Sequence, residues 1–292
     1  MRGILSIVLL FTSALGGKAK ACDRYGKTGI MEDNDLRIYV GQKGGSKIDE
    51  ASFNKVTGRL EKIYRPIIAK RGGDLQILRK WENPKVNAYA LQRGGVWYVS
   101  MFGGLARHSA ITEDGLALVM CHEIGHHIGG APKKTEQSGQ LIWATNEGQA
   151  DYFATLKCLR RYFERDDNVR IVRRLKVPKA VEALCKQTFK DPTERALCTR
   201  SQLAGRSVSG LFHSLRKLKD PLSFVKKSRA SVVETYHGHP QPQCRLDTYI
   251  SGSICKADLE VPLVSYDADQ GVCSRRLGES EGVRPTCWYK PE

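Results

Sequence analysis

The chain has 292 residues, 41% of them hydrophobic and 27% charged, with 47 Lys and Arg against 31 Asp and Glu and a formal net charge of +16. That length suffices for a sizeable buried core, and the composition excludes wholesale disorder. The basic excess favours acidic partners such as an anionic envelope surface; the plainer reading is a solvated basic face, and no nucleic-acid-binding module is visible.

The first 21 residues open with Arg2, run apolar from Ile4 to Leu15 and reach Ala19-Lys20-Ala21. A basic start, a short apolar core and small residues two apart describe a cleavable secretory signal, and the run is too short for a permanent transmembrane helix. The expectation is an exported protein, periplasmic or secreted, with no transmembrane segment after signal removal. Cleavage after Ala21 leaves Cys22 first; a lipid anchor there is the second reading, which Lys20 disfavours.

Nine cysteines stand at 22, 121, 158, 185, 198, 244, 255, 273 and 287. Behind an export signal they read as disulfides with one thiol left over. Cys121, inside the most apolar helix, is expected to be that free thiol. Short loops favour Cys185–Cys198, Cys244–Cys255 and Cys273–Cys287, leaving Cys22 for Cys158.

Along the chain, "DLRIYV" (35–40) reads as a strand. From Asp49 to Lys70, Phe53, Val56, Leu60, Ile63, Ile67 and Ile68 recur at helical spacing, and Gly72-Gly73 ends the helix. "LQILRK" (75–80) is a second strand. "NAYALQ" (87–92) and "VWYVSMF" (96–102) flank "RGG" and form a hairpin. Thr112 caps the next helix, with Glu113 and Asp114 in its positive first turn, and Gly129-Gly130 closes it. The polar stretch "APKKTEQSGQ" reads as a loop. Helices follow near 145–165, 179–190 and 193–218, with a short one from about Pro240. Beyond residue 256 the chain is irregular and cysteine-containing.

The stretch "CHEIGHHIGG" (121–130) carries the chemistry. Residues four apart share a helix face, so His122 and His126 can present imidazole nitrogens to one cation. Glu123 lies one step round the helix, where a base would take a proton from water. Two histidines do not hold zinc tightly, so a third ligand is needed. In the next helix Glu147 is assigned that place, and Asp151, one turn on, accepts the spare ring proton of a ligand histidine. Two His, one Glu and a carboxylate base define an open site of the catalytic kind, whereas structural zinc sites are closed and usually cysteine-rich. The plainer alternatives are satisfied helix histidines and solvated carboxylates. His127 has no assigned role and is read as an exposed neighbour.

"HEIGH" followed by "NEGQAD" resembles the gluzincin metallopeptidases. More closely, "NAYA", "GVWYVSMFGGLAR", "EDGLALVMCHEIGHH", "NEGQADYFA" and "HGHPQPQCRLDTY" resemble the HtpX-like and CAAX-prenyl-protease-like family over about 87–250. The resemblance implies His122, His126 and Glu147 as ligands of one zinc ion, Glu123 as general base and Asp151 behind the ligands. It implies His239 as the group that polarises the scissile carbonyl, with Tyr236 and His237 as rivals, and Arg245 in support. It also makes Asn87, Ala88, Tyr89 and Ala90 an edge strand on which a peptide substrate lies.

The fold expected is α+β and zincin-like: a small sheet with an edge strand packed on two zinc-binding helices, and a mostly helical second half. Residues 1–21 form the signal, 22–255 the metallopeptidase domain and 256–292 the tail. The activity expected is zinc-dependent endoproteolysis outside the cytoplasm. The alternatives are zinc hydrolysis of cell-wall peptide or amide bonds, and a non-catalytic basic envelope-binding protein.

Overall fold

The structure, a computed structural model, describes residues 28–43, 45–135 and 139–291. The signal segment and Cys22 lie outside the described residues. The expected strand at 35–40 is reduced to one bridge between Arg37 and Lys85. Only Ile38 of that stretch is well buried, while Tyr39 and Val40 are exposed. The segment therefore has no second face to hold it in a ladder.

Helix α1 (Glu50–Ala69) is where its apolar spacing puts it. Asp49 caps it by accepting from the Ser52 amide at 2.8 Å, and Phe53, Val56, Leu60, Tyr64 and Ile68 fill one buried stripe. The sheet has the order β1–β3–β4–β2. Strands β3 (Ala88–Arg93) and β4 (Val96–Phe102) form the expected antiparallel hairpin, and β2 (Asp74–Lys80) runs parallel to β4. The two residues of β1 (Thr28–Gly29), which sequence reasoning missed, pair antiparallel with Ala90 and Tyr89.

After a single turn, α2 (Gly103–Ala106), comes α3 (Glu113–Ile128). Thr112 caps it by accepting from the Gly115 amide at 3.0 Å. From Leu116 on every residue of α3 is buried, so this helix is the hub of the fold and has no solvent face. Polar groups on such a helix must find partners inside the protein. The loop expected at 131–140 proves to hold strand β5 (Lys133–Thr135), which turns back onto β6 (Leu141–Thr145).

The helix expected at 145–165 runs as α4 (Glu147–Phe153), a π-helical turn (Ala154–Cys158) and α5 (Leu159–Phe163). Beyond the short α6 (Asn168–Val172), helices α7 (Lys179–Thr188), α8 (Pro192–Leu215) and α9 (Pro242–Ile254) complete the second half. Arg200 of α8 joins it to α3 and to the end of α5, reaching Asp114 at 2.7 Å and Asp166 at 2.8 Å. The architecture is the α+β one expected. Among the described residues, no helix is long and apolar enough to cross a membrane.

The disulfide pairing departs from expectation. Cys185–Cys198 forms, but Cys121 is bridged to Cys158 rather than free. The reason is the π-helical turn next to α3, which brings the two Cα atoms to 5.5 Å, well inside bridging range. Cys244 pairs with Cys287 and Cys255 with Cys273, instead of each pair closing its own short loop. The C-terminal segment thus returns to the core rather than cross-linking itself. Its Trp288 is fully buried, donates to the Thr248 hydroxyl at 3.0 Å and stacks where a side chain at Gly148 would be.

Candidate metal centre

Helices α3 and α4 cross closely because Gly125 has no side chain. A Cβ there would sit 3.0 Å from the Phe153 ring and 3.1 Å from the Ala150 backbone. That approach brings Glu147 over the two histidines. Nε2 of His122 lies 3.1 Å from one carboxylate oxygen of Glu147, and Nε2 of His126 lies 3.7 Å from the other. Ligand atoms of His122, His126 and Glu147 all fall within 4.8 Å of one another, and all three residues are buried.

The opposite nitrogens are engaged. Nδ1 of His122 meets Asp151 Oδ1 at 2.7 Å, and Nδ1 of His126 meets the Thr145 carbonyl at 2.8 Å. Each of these acceptors holds a proton on Nδ1 and leaves a lone pair on Nε2, the form a ligand imidazole needs. Nε2 of His122 is completely buried and, apart from the Glu147 oxygen 3.1 Å away, has no hydrogen-bond partner among the described residues. Two imidazole nitrogens and one carboxylate, converging in a buried interior, fit a zinc-like divalent cation.

Electrostatics point the same way. Burial alone would push the His122 imidazole down, but Asp151 and Glu147 outweigh it and hold it up at about 9. Burial pushes Glu147 up, yet His239, Lys134 and His126 overcome it and keep the carboxyl well below its ordinary range. The buried carboxylates therefore favour positive charge at this spot, either as a proton on the His122 ring or as a cation that would take the Nε2 lone pair in its place. Burial lifts Glu123 to about 8, with the His122 charge opposing and Glu147 reinforcing. Neither Glu123 oxygen has a hydrogen-bond partner among the described residues.

Asp151 is anchored from behind. Arg245 reaches it through Nε at 2.7 Å and Nη2 at 2.6 Å, and the Tyr249 hydroxyl donates to it at 2.7 Å. Arg245 itself lies over the Phe212 ring at 4.0 Å. Of the three candidates for a carbonyl-polarising group, His239 stands against the cluster, with Nε2 3.5 Å from Glu147. Tyr236 is exposed, and Nδ1 of His237 makes no hydrogen bond.

One expectation is corrected, and the strand read as an edge is found covered. His127 is not an exposed neighbour: it is buried between Trp97 and Trp143, stacked at 5.3 Å and 5.0 Å, with Nε2 on the Tyr98 carbonyl at 3.1 Å. The strand holding Ala88, Tyr89 and Ala90 is not an open edge, because β1 pairs with it and the Ile30 amide donates to the Ala88 carbonyl. Asn87, just before the strand, is buried too and donates to the Met31 carbonyl. An edge strand with a flush apolar face draws a partner wherever the chain can supply one, and residues 28–31 supply it.

Sequence reasoning also missed Lys134, whose ammonium lies 2.5 Å from Glu147. "KK" in a polar stretch reads as solvated surface, and only the β5–β6 pairing turns it inward. The Thr145 carbonyl behind His126 is a backbone group and leaves no sequence signal.

A family model for peptidase family M48 matches residues 54–142. The match takes in His122, Glu123 and His126 and stops short of Glu147; the structure supplies that third residue. The resemblance to a zinc metallopeptidase family is thereby borne out, and a metal-dependent peptidase is what the matched stretch indicates. No curated protein matches the chain, and no solved structure does.

Proposed function

We propose that the protein is a zinc-dependent metalloendopeptidase that hydrolyses peptide bonds of proteins outside the cytoplasm. The observation that carries this reading is the convergence of His122, His126 and Glu147 within 4.8 Å, next to a buried Glu123 carboxyl without hydrogen bonds among the described residues. His122, His126 and Glu147 would hold a divalent cation, which when bound would supply Lewis-acid activation of water and of the substrate carbonyl.

The chain's own groups do the rest. Glu123 takes a proton from the attacking water and returns it to the leaving amine; its raised affinity for protons suits a base working near neutrality, and a neighbouring cation would lower it toward that task. His239 donates through Nε2 to the carbonyl oxygen as negative charge builds there. Asp151, Arg245 and Tyr249 hold the ring of His122 in orientation.

Four disulfides among the described residues support an oxidising compartment. They accord with the secretory signal read at residues 1–21. The basic surface suits an anionic envelope. The test is hydrolysis by the purified, zinc-loaded chain offered unfolded casein and, separately, peptidoglycan. Cleavage of casein at internal bonds is expected. Release of fragments from peptidoglycan alone would move the activity to the cell wall, and no hydrolysis of either would leave a binding protein.

A further inference from the structure

Thr28 and Gly29 pair antiparallel with β3, Thr28 opposite Ala90 and Gly29 opposite Tyr89, and the chain bends on through Ile30 and Met31. The Ile30 amide donates to the Ala88 carbonyl at 3.3 Å. The Gly29 carbonyl accepts from Nε2 of His239 at 2.9 Å, and the same nitrogen lies 3.5 Å from Glu147. The next carbonyl, that of Ile30, accepts from Arg245. Ile30 is completely buried and Met31 nearly so. A short extended piece, Thr28–Gly29, thus passes beside the metal centre with one carbonyl on the group assigned to polarise a carbonyl.

The fit is selective at one position. A Cβ on Gly29 would fall 2.8 Å from Cδ1 of Tyr89 and 2.9 Å from the Ala88 carbonyl oxygen. The ring is itself held, since its hydroxyl donates to Asp33 and its edge packs against Phe102 at 5.5 Å. The carbonyl belongs to the sheet. Neither neighbour can yield cheaply, so the seat takes glycine and no larger residue.

We infer that Thr28–Met31 is a tethered occupant of the substrate path: an extended peptide substrate takes the same seat on β3, with glycine opposite Tyr89 and a large aliphatic residue next, and must displace the tether to do so. The inference rests on the metallopeptidase reading for what happens to a seated peptide, but the seat itself is a binding claim. Tyr89 is the residue that sets its specificity.

The test uses the full zinc-loaded chain and its Gly29→Val variant. Backbone hydrogen exchange over β3 is expected to rise about tenfold in the variant, the change that 1.4 kcal/mol of lost pairing gives. Cleavage of unfolded casein rises with it, at unchanged zinc content. A capped peptide with the sequence of residues 28–33 restores protection of β3 and competes with casein, while its Gly→Ala counterpart does neither. Should Gly29→Val not fold, Gly29→Ala meets the same carbonyl and is read in the same way. Unchanged exchange over β3 in a folded variant overturns the proposal, as does an alanine peptide that protects as well as the glycine one. If neither protein hydrolyses casein while exchange and peptide protection behave as stated, the hydrolase reading falls and the seat stands.

Discussion

Asp151 presents Oδ1 to Nδ1 of His122 at 2.7 Å and takes the Arg245 guanidinium and the Tyr249 hydroxyl on the same carboxylate. An aspartate so loaded fixes the ring of His122 and makes its other nitrogen a stronger donor to a cation. Replacing it by asparagine keeps the shape and removes the charge. We expect Asp151→Asn to weaken zinc binding by about 10–100-fold, read by competition with a chromogenic chelator. Unchanged affinity would reduce Asp151 to a packing role.

Glu123 has a different signature, because its carboxyl is fully buried and neither oxygen is hydrogen-bonded among the described residues. None of the described residues is anchored by it. Glu123→Gln should therefore keep the zinc content and the melting temperature while peptide hydrolysis drops by about 10²–10⁴-fold. Hydrolysis at the wild-type rate would take Glu123 out of the reaction.

The Cys121–Cys158 bridge ties the helix of the two histidines to the π-helical turn after Glu147 and Asp151, its ends separated by 37 positions in sequence. In the chain-entropy account a loop of that size contributes about 4 kcal/mol. The paired replacement of both cysteines by alanine should lower the unfolding free energy by that order in urea. A loss under about 1 kcal/mol would show that packing alone holds the two helices.

Lys133 supplies a pH test away from the metal ligands. Its ammonium is buried against the Trp143 carbonyl and the Thr145 hydroxyl, and burial, reinforced by Arg71, brings its pKa down from 10.5 to about 8. Between those values the unfolded chain binds the proton and the folded one has released it, so folding stability from this group rises with pH. Relative to Lys133→Met, the wild type should gain on the order of 3 kcal/mol from pH 8 to pH 10.5. A difference that stays flat over that window would show that Lys133 titrates normally.

Much of the centre was legible because its signals are local. His122 and His126 share a helix face by spacing, Glu147 and Asp151 do so on the next helix, and Thr112 caps where its position implies. What stayed hidden depends on chain returns that no local pattern announces. Lys134 points inward only because β5 pairs with β6, and Cys244 finds Cys287 across 43 residues because Trp288 buries itself against α4. The pairing of β1 with β3 escaped for the same reason: two residues carry no periodicity, and their partner lies about sixty positions away. His127 looked exposed because the tryptophans that enclose it come from β4 and β6.

The central claim is one cation held by His122, His126 and Glu147, and X-ray absorption at the zinc edge of the loaded protein tests it most directly. The account predicts one zinc per chain with two imidazole nitrogens and light oxygen donors in its shell, and loss of the bound ion in Glu147→Ala. Sulfur in the shell, or a Glu147→Ala protein with an unchanged spectrum, would contradict it.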